Sequence, residues 1–215
     1  MGLDDSIKSK RKEYEKGSLD EASVKDSPFD QFREWFERSL QSQEVEPNAC
    51  AVATVGNDQK PSVRMVLLKA VDDRGFSFFT NYESVKGQQI SQNAYGSMLF
   101  YWASLERQIR IEGSFEFLTA AESDSYFASR PRGAQLGAIV SKQSRVVASR
   151  SELEAAFSEA ERSLGREALK RPAHWGGYRL IPTQFEFWQG RESRLHDRVR
   201  YTKRANTWVA ERLWP

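Results

Sequence analysis

The 215-residue sequence predicts a mainly β fold with helices, an α+β chain organised as an antiparallel barrel with helical additions. Three observations lead there. Five or six strand-like runs fall within about 70 residues after Pro47, most are joined by short turns, and helical periodicity is confined to the flanks. Dense, short connections favour an antiparallel barrel over a parallel sheet, which needs helical crossovers.

Residues 1–26 are polar and read as a mobile arm, with a helix over Asp5–Glu15. Ser27-Pro28 pairs an N-cap residue with proline at the first helical position. Phe29, Phe32, Trp35, Phe36 and Leu40 follow at intervals of three and four, forming one apolar helix face turned to the core. Strands are predicted over Ala49–Val55, Ser62–Val71 and Phe76–Asn81, separated by the turn signals Gly56-Asn57-Asp58 and Asp72-Asp73-Arg74-Gly75. Ser84 opens a short helix to Asn93. Ser97–Ala103 and Glu106–Leu118 return to strand character, helices follow over Thr119–Ser129, Gly133–Val140 and Ser151–Leu164, and Tyr178–Trp188 and Arg198–Arg212 close the chain as two strands. With no repeat and no low-complexity linker, residues 27–215 read as a single domain.

Composition narrows the function. No apolar stretch approaches the roughly 20 residues of a membrane helix, and the N-terminus lacks the apolar core of a secretory signal. The lone Cys50 excludes an internal disulfide and a cysteine-built zinc site; the cytoplasm is the expected location. His174 and His196 have no ligand-spaced partner, so no metal site is expected. Walker, Gly-x-Ser-x-Gly and Gly-x-Gly-x-x-Gly motifs are absent. A net charge of +2 does not point to nucleic acid. Local charge is more telling. Ser125–Ser151 holds Arg130, Arg132, Lys142, Arg145 and Arg150 with no acidic residue, and Arg191–Arg204 holds six basic residues against Glu192 and Asp197. Such clusters suit small anions held at fixed points, although a solvated basic face explains the same charges. The chain is thus better equipped to hold anions than to attack as a nucleophile, which fits a bound organic cofactor performing the difficult step.

Six segments carry this chemistry. Arg64 and Lys69 lie in one predicted strand but differ in parity, so they serve different parts of a ligand or a bulge intervenes. Ser84-Val85-Lys86 at a helix start offers N–H groups, a hydroxyl and an ammonium to a phosphate, although a plain N-cap explains Ser84 equally well. Gln108 both donates and accepts, as a polar ring edge requires. Tyr126 and Arg130, four apart on a predicted helix, share a face. Ser141-Lys142-Gln143-Ser144 is a polar run suited to loop contacts. Trp188 beside Gly190 suits the wall of a flat ring, and Arg194, His196 and Arg198 alternate on one face if extended.

The ordered set Arg-x-x-Leu-Leu-Lys, Leu-Glu-Arg-Gln, Tyr-Phe-x-Ser-Arg-Pro-Arg, Ser-Lys-Gln-Ser, Glu-Phe-Trp-Gln-Gly and Arg-Leu-His-Asp-Arg resembles the pyridoxamine 5'-phosphate oxidase family from about Arg11 to Pro215. The resemblance implies a split β-barrel with flanking helices that binds FMN, a homodimer with two sites at the subunit interface, and oxidation of pyridoxamine or pyridoxine 5'-phosphate to pyridoxal 5'-phosphate. Molecular oxygen as the acceptor and hydrogen peroxide as a product are implied with it. It also implies FMN contacts from Arg64, Met65, Val66, Leu67, Leu68, Lys69, Phe79, Thr80, Ser84, Lys86, Gln108, Gln143, Ser144, Trp188 and Arg198. Lys69, Tyr126 and Arg130 would hold the substrate phosphate, with Ala134 nearby. Arg194 and His196 would lie over the pyridine ring as catalytic residues, and Arg11 and Tyr14 would belong to a segment closing over the substrate. Two positions depart from the family pattern: Val85 where arginine is frequent and Ala134 where serine is frequent. Each lost charge-assisted bond costs roughly 1.5–3 kcal/mol. A non-catalytic flavin or pyridoxal-phosphate carrier, and a split-barrel flavoprotein with another substrate, are the competing expectations.

Overall fold

The computed structural model describes residues 3–10 and 12–215. Elements run α1 (Leu3–Ser9), α2 (Pro28–Leu40), β1 (Ala49–Val55), β2 (Pro61–Leu67), β3 (Ala70–Asp72), β4 (Gly75–Asn81), α3 (Val85–Gln92), β5 (Tyr95–Trp102), β6 (Arg107–Phe117), α4 (Ala120–Ser129), α5 (Arg132–Val140), α6 (Arg150–Ser163), β7 (Trp175–Gln189), β8 (Asp197–Arg204) and β9 (Thr207–Arg212), with a 3-10 turn at Glu192–Arg194. They divide into two compact units. The first holds Met1–Pro47, Leu99–Ile111 and Thr183–Pro215; the second holds Asn48–Met98 and Glu112–Pro182. No helix among the described residues is long and apolar enough to cross a membrane.

In the first unit, α2 presents Phe29, Phe32 and Trp35 to strand aromatics, edge-on to Phe185 (5.4 Å), Phe100 (5.2 Å) and Phe187 (5.3 Å). Trp35 and Phe32 are almost fully buried, and each such ring contributes roughly 1.5–3 kcal/mol of burial. Leu40, read as part of that face, is 61% exposed; it is the last helical residue, where the face has run past the sheet. β7 pairs antiparallel with β8 and places Trp188 opposite Arg198. The predicted strand Arg198–Arg212 is a β8–β9 hairpin, broken at Ala205-Asn206 with Ala205 in the left-handed region (φ 52°).

In the second unit the strand order is β2-β1-β5-β6-β7-β4-β3. β1 alternates buried and half-buried residues, as a strand with one face on a core does. Its Cys50 is fully buried and its thiol is pushed up to about 12 by that burial. Val52, Phe76, Phe78, Met98, Tyr178 and Leu180 complete this core. Gly113 is dictated by close approach, since a Cβ there would lie 2.0 Å from the Ile181 carbonyl oxygen. The predicted strand Ser62–Val71 splits into β2 and β3: at the break Leu68 N–H donates to Asn48 O (2.8 Å) and Lys69 N–H to Ser77 O (2.8 Å). The parity of Arg64 and Lys69 is therefore interrupted by a strand exchange rather than by continuous pleating.

Candidate active site

The second unit contains a cavity of about 610 Å³. Its walls come from the end of β2 (Met65, Val66, Leu67) and Lys69, from Phe79, Thr80 and Asn81 on β4, from Lys86 on α3, and from Tyr126, Arg130, Ala134, Gly137, Ser141, Gln143 and Trp175. Aromatic rings form one side. Phe79 stacks on Tyr126 with centroids 3.8 Å apart and 19° between planes, and lies 5.6 Å from Trp175 at 14°. Phe127, Ala138 and Trp175 form a small apolar cluster with these rings packed against it.

Arg130 caps α4 rather than extending it. Pro131 follows, and the residue before proline is driven to extended backbone, here φ −74° and ψ 148°. The shared helix face read for Tyr126 and Arg130 is thus replaced by a turn, yet both side chains still line the cavity. Gln135 braces that turn. Its Nε2 donates to the carbonyls of Phe127 (3.0 Å), Ala128 (3.1 Å) and Arg130 (3.0 Å). The Arg130 guanidinium lies 4.6 Å over the Trp175 ring, and its Nη1 is buried with no hydrogen-bond partner among the described residues. Burial pushes this cation's pKa down.

A second cationic group forms around α3. Ser84 is spent on the helix start: its hydroxyl donates to Asn81 O (2.7 Å) and accepts from Gly87 N–H (3.3 Å). That fixes Lys86 in the first turn, where its ammonium donates to Thr80 Oγ1 (3.1 Å) and Gln143 Oε1 (3.3 Å). Thr80 Oγ1 also donates to Gln143 Oε1 (3.0 Å), and Asn81 Nδ2 to Ser141 O (3.0 Å), which tethers the polar loop. Arg64 lies on the far side of β2 from Met65 and Leu67. It donates to Thr54 Oγ1 (2.6 Å), Val52 O (3.2 Å), Gln89 Oε1 (3.3 Å) and the Ser62 hydroxyl. Burial, and then the charge of Arg64, pull Lys86 down to about 8. Among the described residues no carboxylate pairs with Arg64, Lys86 or Arg130. Cations drawn partly or wholly out of water without counter-charge are costly, and an anion entering the cavity beside buried Lys86 or half-buried Arg130 would reduce that cost.

The first unit gathers the other predicted residues. Trp188 and His196 lie 4.8 Å apart, and Tyr14 meets both edge-on at 5.6 Å. Arg198 donates to the buried carboxylate of Glu186 (2.8 Å) and to Trp214 O (2.9 Å). His196 Nδ1 accepts from Arg191 N–H (3.1 Å), so the neutral ring carries its proton on Nε2. Burial and the neighbouring Arg194 lower its pKa. Arg194 is exposed and does not continue a strand: it closes the 3-10 turn, with Ser193 and Arg194 both left-handed (φ 53° and 61°). The extended alternation read for Arg194, His196 and Arg198 is absent for that reason. Gln108 is half-buried on β6, Leu68 is buried in the second unit, Ser144 is exposed with φ 71°, and Arg11 lies outside the described residues.

Sequence reasoning passed over Gln135, Trp175 and Glu186. Glu186 opens the quoted Glu-Phe-Trp-Gln-Gly motif but was given no role; Trp175 stands before two glycines at the start of β7, a weak signal; Gln135 had none.

Comparison with known proteins places this geometry. A family model described as pyridoxamine 5'-phosphate oxidase matches residues 30–163, and one described as the pyridoxine 5'-phosphate oxidase C-terminal dimerisation region matches residues 175–215. A pyridoxine/pyridoxamine 5'-phosphate oxidase of Pseudomonas paraeruginosa is 50% identical over 212 residues, covering 98% of this chain and 99% of its own. One of Burkholderia lata is 53% identical over 205 residues, covering 94% and 95%. The crystal structure of PhzG from Burkholderia lata 383, in complex with tetrahydrophenazine-1-carboxylic acid, superposes with a TM-score of 0.86 at 31% identity, covering 93% of this chain and all of its own. On sequence and on fold alike, this chain belongs to the pyridoxamine 5'-phosphate oxidase family and has its split-barrel architecture.

Proposed function

We propose that this protein is a cytoplasmic, FMN-dependent oxidase converting pyridoxamine or pyridoxine 5'-phosphate to pyridoxal 5'-phosphate. One observation carries the reading: buried Lys86 and half-buried Arg130 line the cavity with no carboxylate paired to either among the described residues, and Arg130 Nη1, itself buried, has no hydrogen-bond partner among them. A donor set of this kind fits phosphate. Two such groups suit two phosphates, one on the cofactor and one on the substrate.

Bound FMN would supply the two-electron acceptor for the substrate's C4' carbon, with molecular oxygen restoring it and yielding hydrogen peroxide. The chain's own residues bind and orient. Lys86, with Thr80 and Gln143 fixing its ammonium, and Arg64 behind it, would hold the cofactor's phosphate. Lys69, Tyr126 and Arg130 would grip the substrate phosphate, a contribution by positioning. Arg130 reaches that role prepaid, because Gln135 and Trp175 already fix its backbone and its plane. His196, neutral and protonated on Nε2, would donate to the substrate's ring hydroxyl, while Arg194 shields the ring.

We further propose a homodimer in which one subunit's cavity meets Trp188, Arg194, His196 and Arg198 of the partner. The description of the matched C-terminal region supports this. So does edge strand β2, which exposes Val63, Met65 and Leu67 in a row (69%, 64% and 37%), the kind of apolar stripe a second copy covers. The test is one assay with purified protein, FMN, pyridoxamine 5'-phosphate and oxygen, measuring aldehyde and peroxide together. Equal amounts of both are expected. A colourless protein that refuses FMN at saturation refutes the reading, and a flavin-loaded protein inert toward both phosphorylated substrates refutes the substrate assignment.

A further inference from the structure

Glu106 is a buried carboxylate, its side chain 2% exposed, whose oxygens take their partners among the described residues from one short stretch near the N-terminus. Oε2 accepts from the backbone N–H of Glu15 (2.8 Å) and of Lys16 (3.0 Å), and Oε1 pairs with the Lys12 ammonium (2.9 Å). Lys16 adds its own ammonium to Ser104 O (2.7 Å). Glu106 has a left-handed backbone (φ 56°), a conformation that non-glycine residues keep only where surroundings enforce it. Here they do: Glu106 O accepts from Gly190 N–H (2.8 Å) and from Gln189 Nε2 (3.2 Å). The same peptide therefore faces residues 12–16 with its carboxylate and the Trp188-Gln189-Gly190 turn with its carbonyl.

Tyr14 sits between those contacts. Its ring meets Trp188 and His196 edge-on, and it can do so because Gly190 has no side chain, a Cβ there falling 2.7–2.9 Å from Tyr14 atoms. Residues 12–16 both cover and neutralise Glu106, so the arm's departure would exchange three charge-assisted contacts for water, a loss that favours the seated arm. We propose that Glu106 is a positioning residue of the reaction: a latch that seats the N-terminal arm so that Tyr14 packs against Trp188 and His196. This rests on the function proposed above, in which His196 faces the substrate.

The experiment compares the full-length FMN-loaded dimer with Glu106→Gln, Tyr14→Ala and the double variant. Trypsin cleavage after Lys12 and Lys16 in Glu106→Gln should be faster by roughly tenfold, as loss of a charge-assisted contact implies. KM for pyridoxamine 5'-phosphate should rise by about the same factor with kcat nearly unchanged, and Glu106→Gln should add less than about twofold once Tyr14 is alanine. An unchanged trypsin rate overturns the latch. Faster cleavage with fully additive effects on KM overturns the positioning role, since a merely structural Glu106 would act independently of Tyr14. A wild-type chain that does not turn over removes the reaction, and the positioning role with it, while trypsin alone still decides the latch. Should Glu106→Gln fail to purify, the exposed Lys12→Met should quicken cleavage after Lys16 by roughly threefold, and no change there overturns the latch equally.

Discussion

Lys86→Met should make the flavin-free protein more stable and the flavin-binding protein worse. The Lys86 ammonium is buried, and burial together with Arg64 brings it from 10.5 to about 8. At about 1.4 kcal/mol per pH unit, that fall corresponds to roughly 3 kcal/mol spent on keeping the charge folded at neutral pH. Methionine removes this cost but forfeits the bonds to Thr80 and Gln143, each worth about 1 kcal/mol. A net gain of roughly 1 kcal/mol remains, about 3 °C in Tm for a chain of this size. The sign depends on pH. Between about 8 and 10.5 the unfolded chain binds the proton and the folded one does not, so wild-type stability rises with pH there. The variant's advantage should therefore be full below pH 8, vanish near about pH 9 and become a deficit of roughly 2 kcal/mol toward pH 10.5. FMN affinity should fall by roughly 10- to 100-fold, since a charge-assisted phosphate contact is lost. Calorimetry of flavin-free protein and quenching of FMN fluorescence give the two readings. A lower Tm combined with unchanged FMN affinity would refute the reasoning, because Lys86 would then be a structural cation.

Three further outcomes are expected. Arg130→Ala should raise KM for phosphorylated substrate by roughly 10- to 100-fold and change stability by less than about 1 kcal/mol, since its Nη1 has no hydrogen-bond partner among the described residues and the stacking lost on Trp175 is offset by relief of a partly desolvated charge; steady-state kinetics and urea melts check both. Arg194→Ala should lower kcat at least about tenfold while the protein stays yellow and equally stable, Arg194 being exposed; wild-type turnover would remove it from the mechanism. Glu122→Gln leaves the capping box of α4 able to form, since glutamine also accepts from Thr119 N–H, but removes the charge paired with Arg179 and Arg74 and costs about 1 kcal/mol at pH 6. The backbone and hydroxyl of Thr119, and then Arg179, hold the Glu122 carboxyl at about 2. Its stabilisation is present above the ordinary carboxylate pKa and is lost as pH falls toward 2. The gap between wild type and Glu122→Gln should thus narrow from pH 6 to pH 3 in urea melts.

The periodic parts of the fold were legible in the sequence, the junctions less so. β1 matches its predicted bounds because an apolar strand between two strong turn signals has few alternatives. The β8–β9 turn was invisible because Ala205-Asn206 carries no glycine, although Ala205 adopts the left-handed backbone such a turn needs. The break at Leu68-Lys69 escaped notice for a different reason: the apolar run is continuous, and only exchange of backbone partners from β1 to β4 divides it. In the candidate site, residue types pointed to anions, and Lys69, Lys86, Tyr126 and Arg130 do line one cavity. What sequence did not convey is support. Gln135 matters through three carbonyls near it in the chain, but Trp175 meets Arg130, and Glu186 accepts from Arg110 on β6, across long separations that no local pattern encodes.

Sealing Cys50 inside β1 has a chemical consequence. A thiolate attacks the O–O bond of peroxide to give a sulfenic acid with release of water, and higher acids follow from there. A thiol at about 12, with no solvent exposure, presents almost no thiolate at neutral pH. Under the proposed reaction, which would release hydrogen peroxide at every cycle, the chain would thereby be spared self-inactivation at its single cysteine. Of the two described methionines, Met98 is buried as well, whereas Met65 lines the cavity proposed to hold the flavin, where the oxidant would form; wear during turnover should register there first, as a sulfoxide.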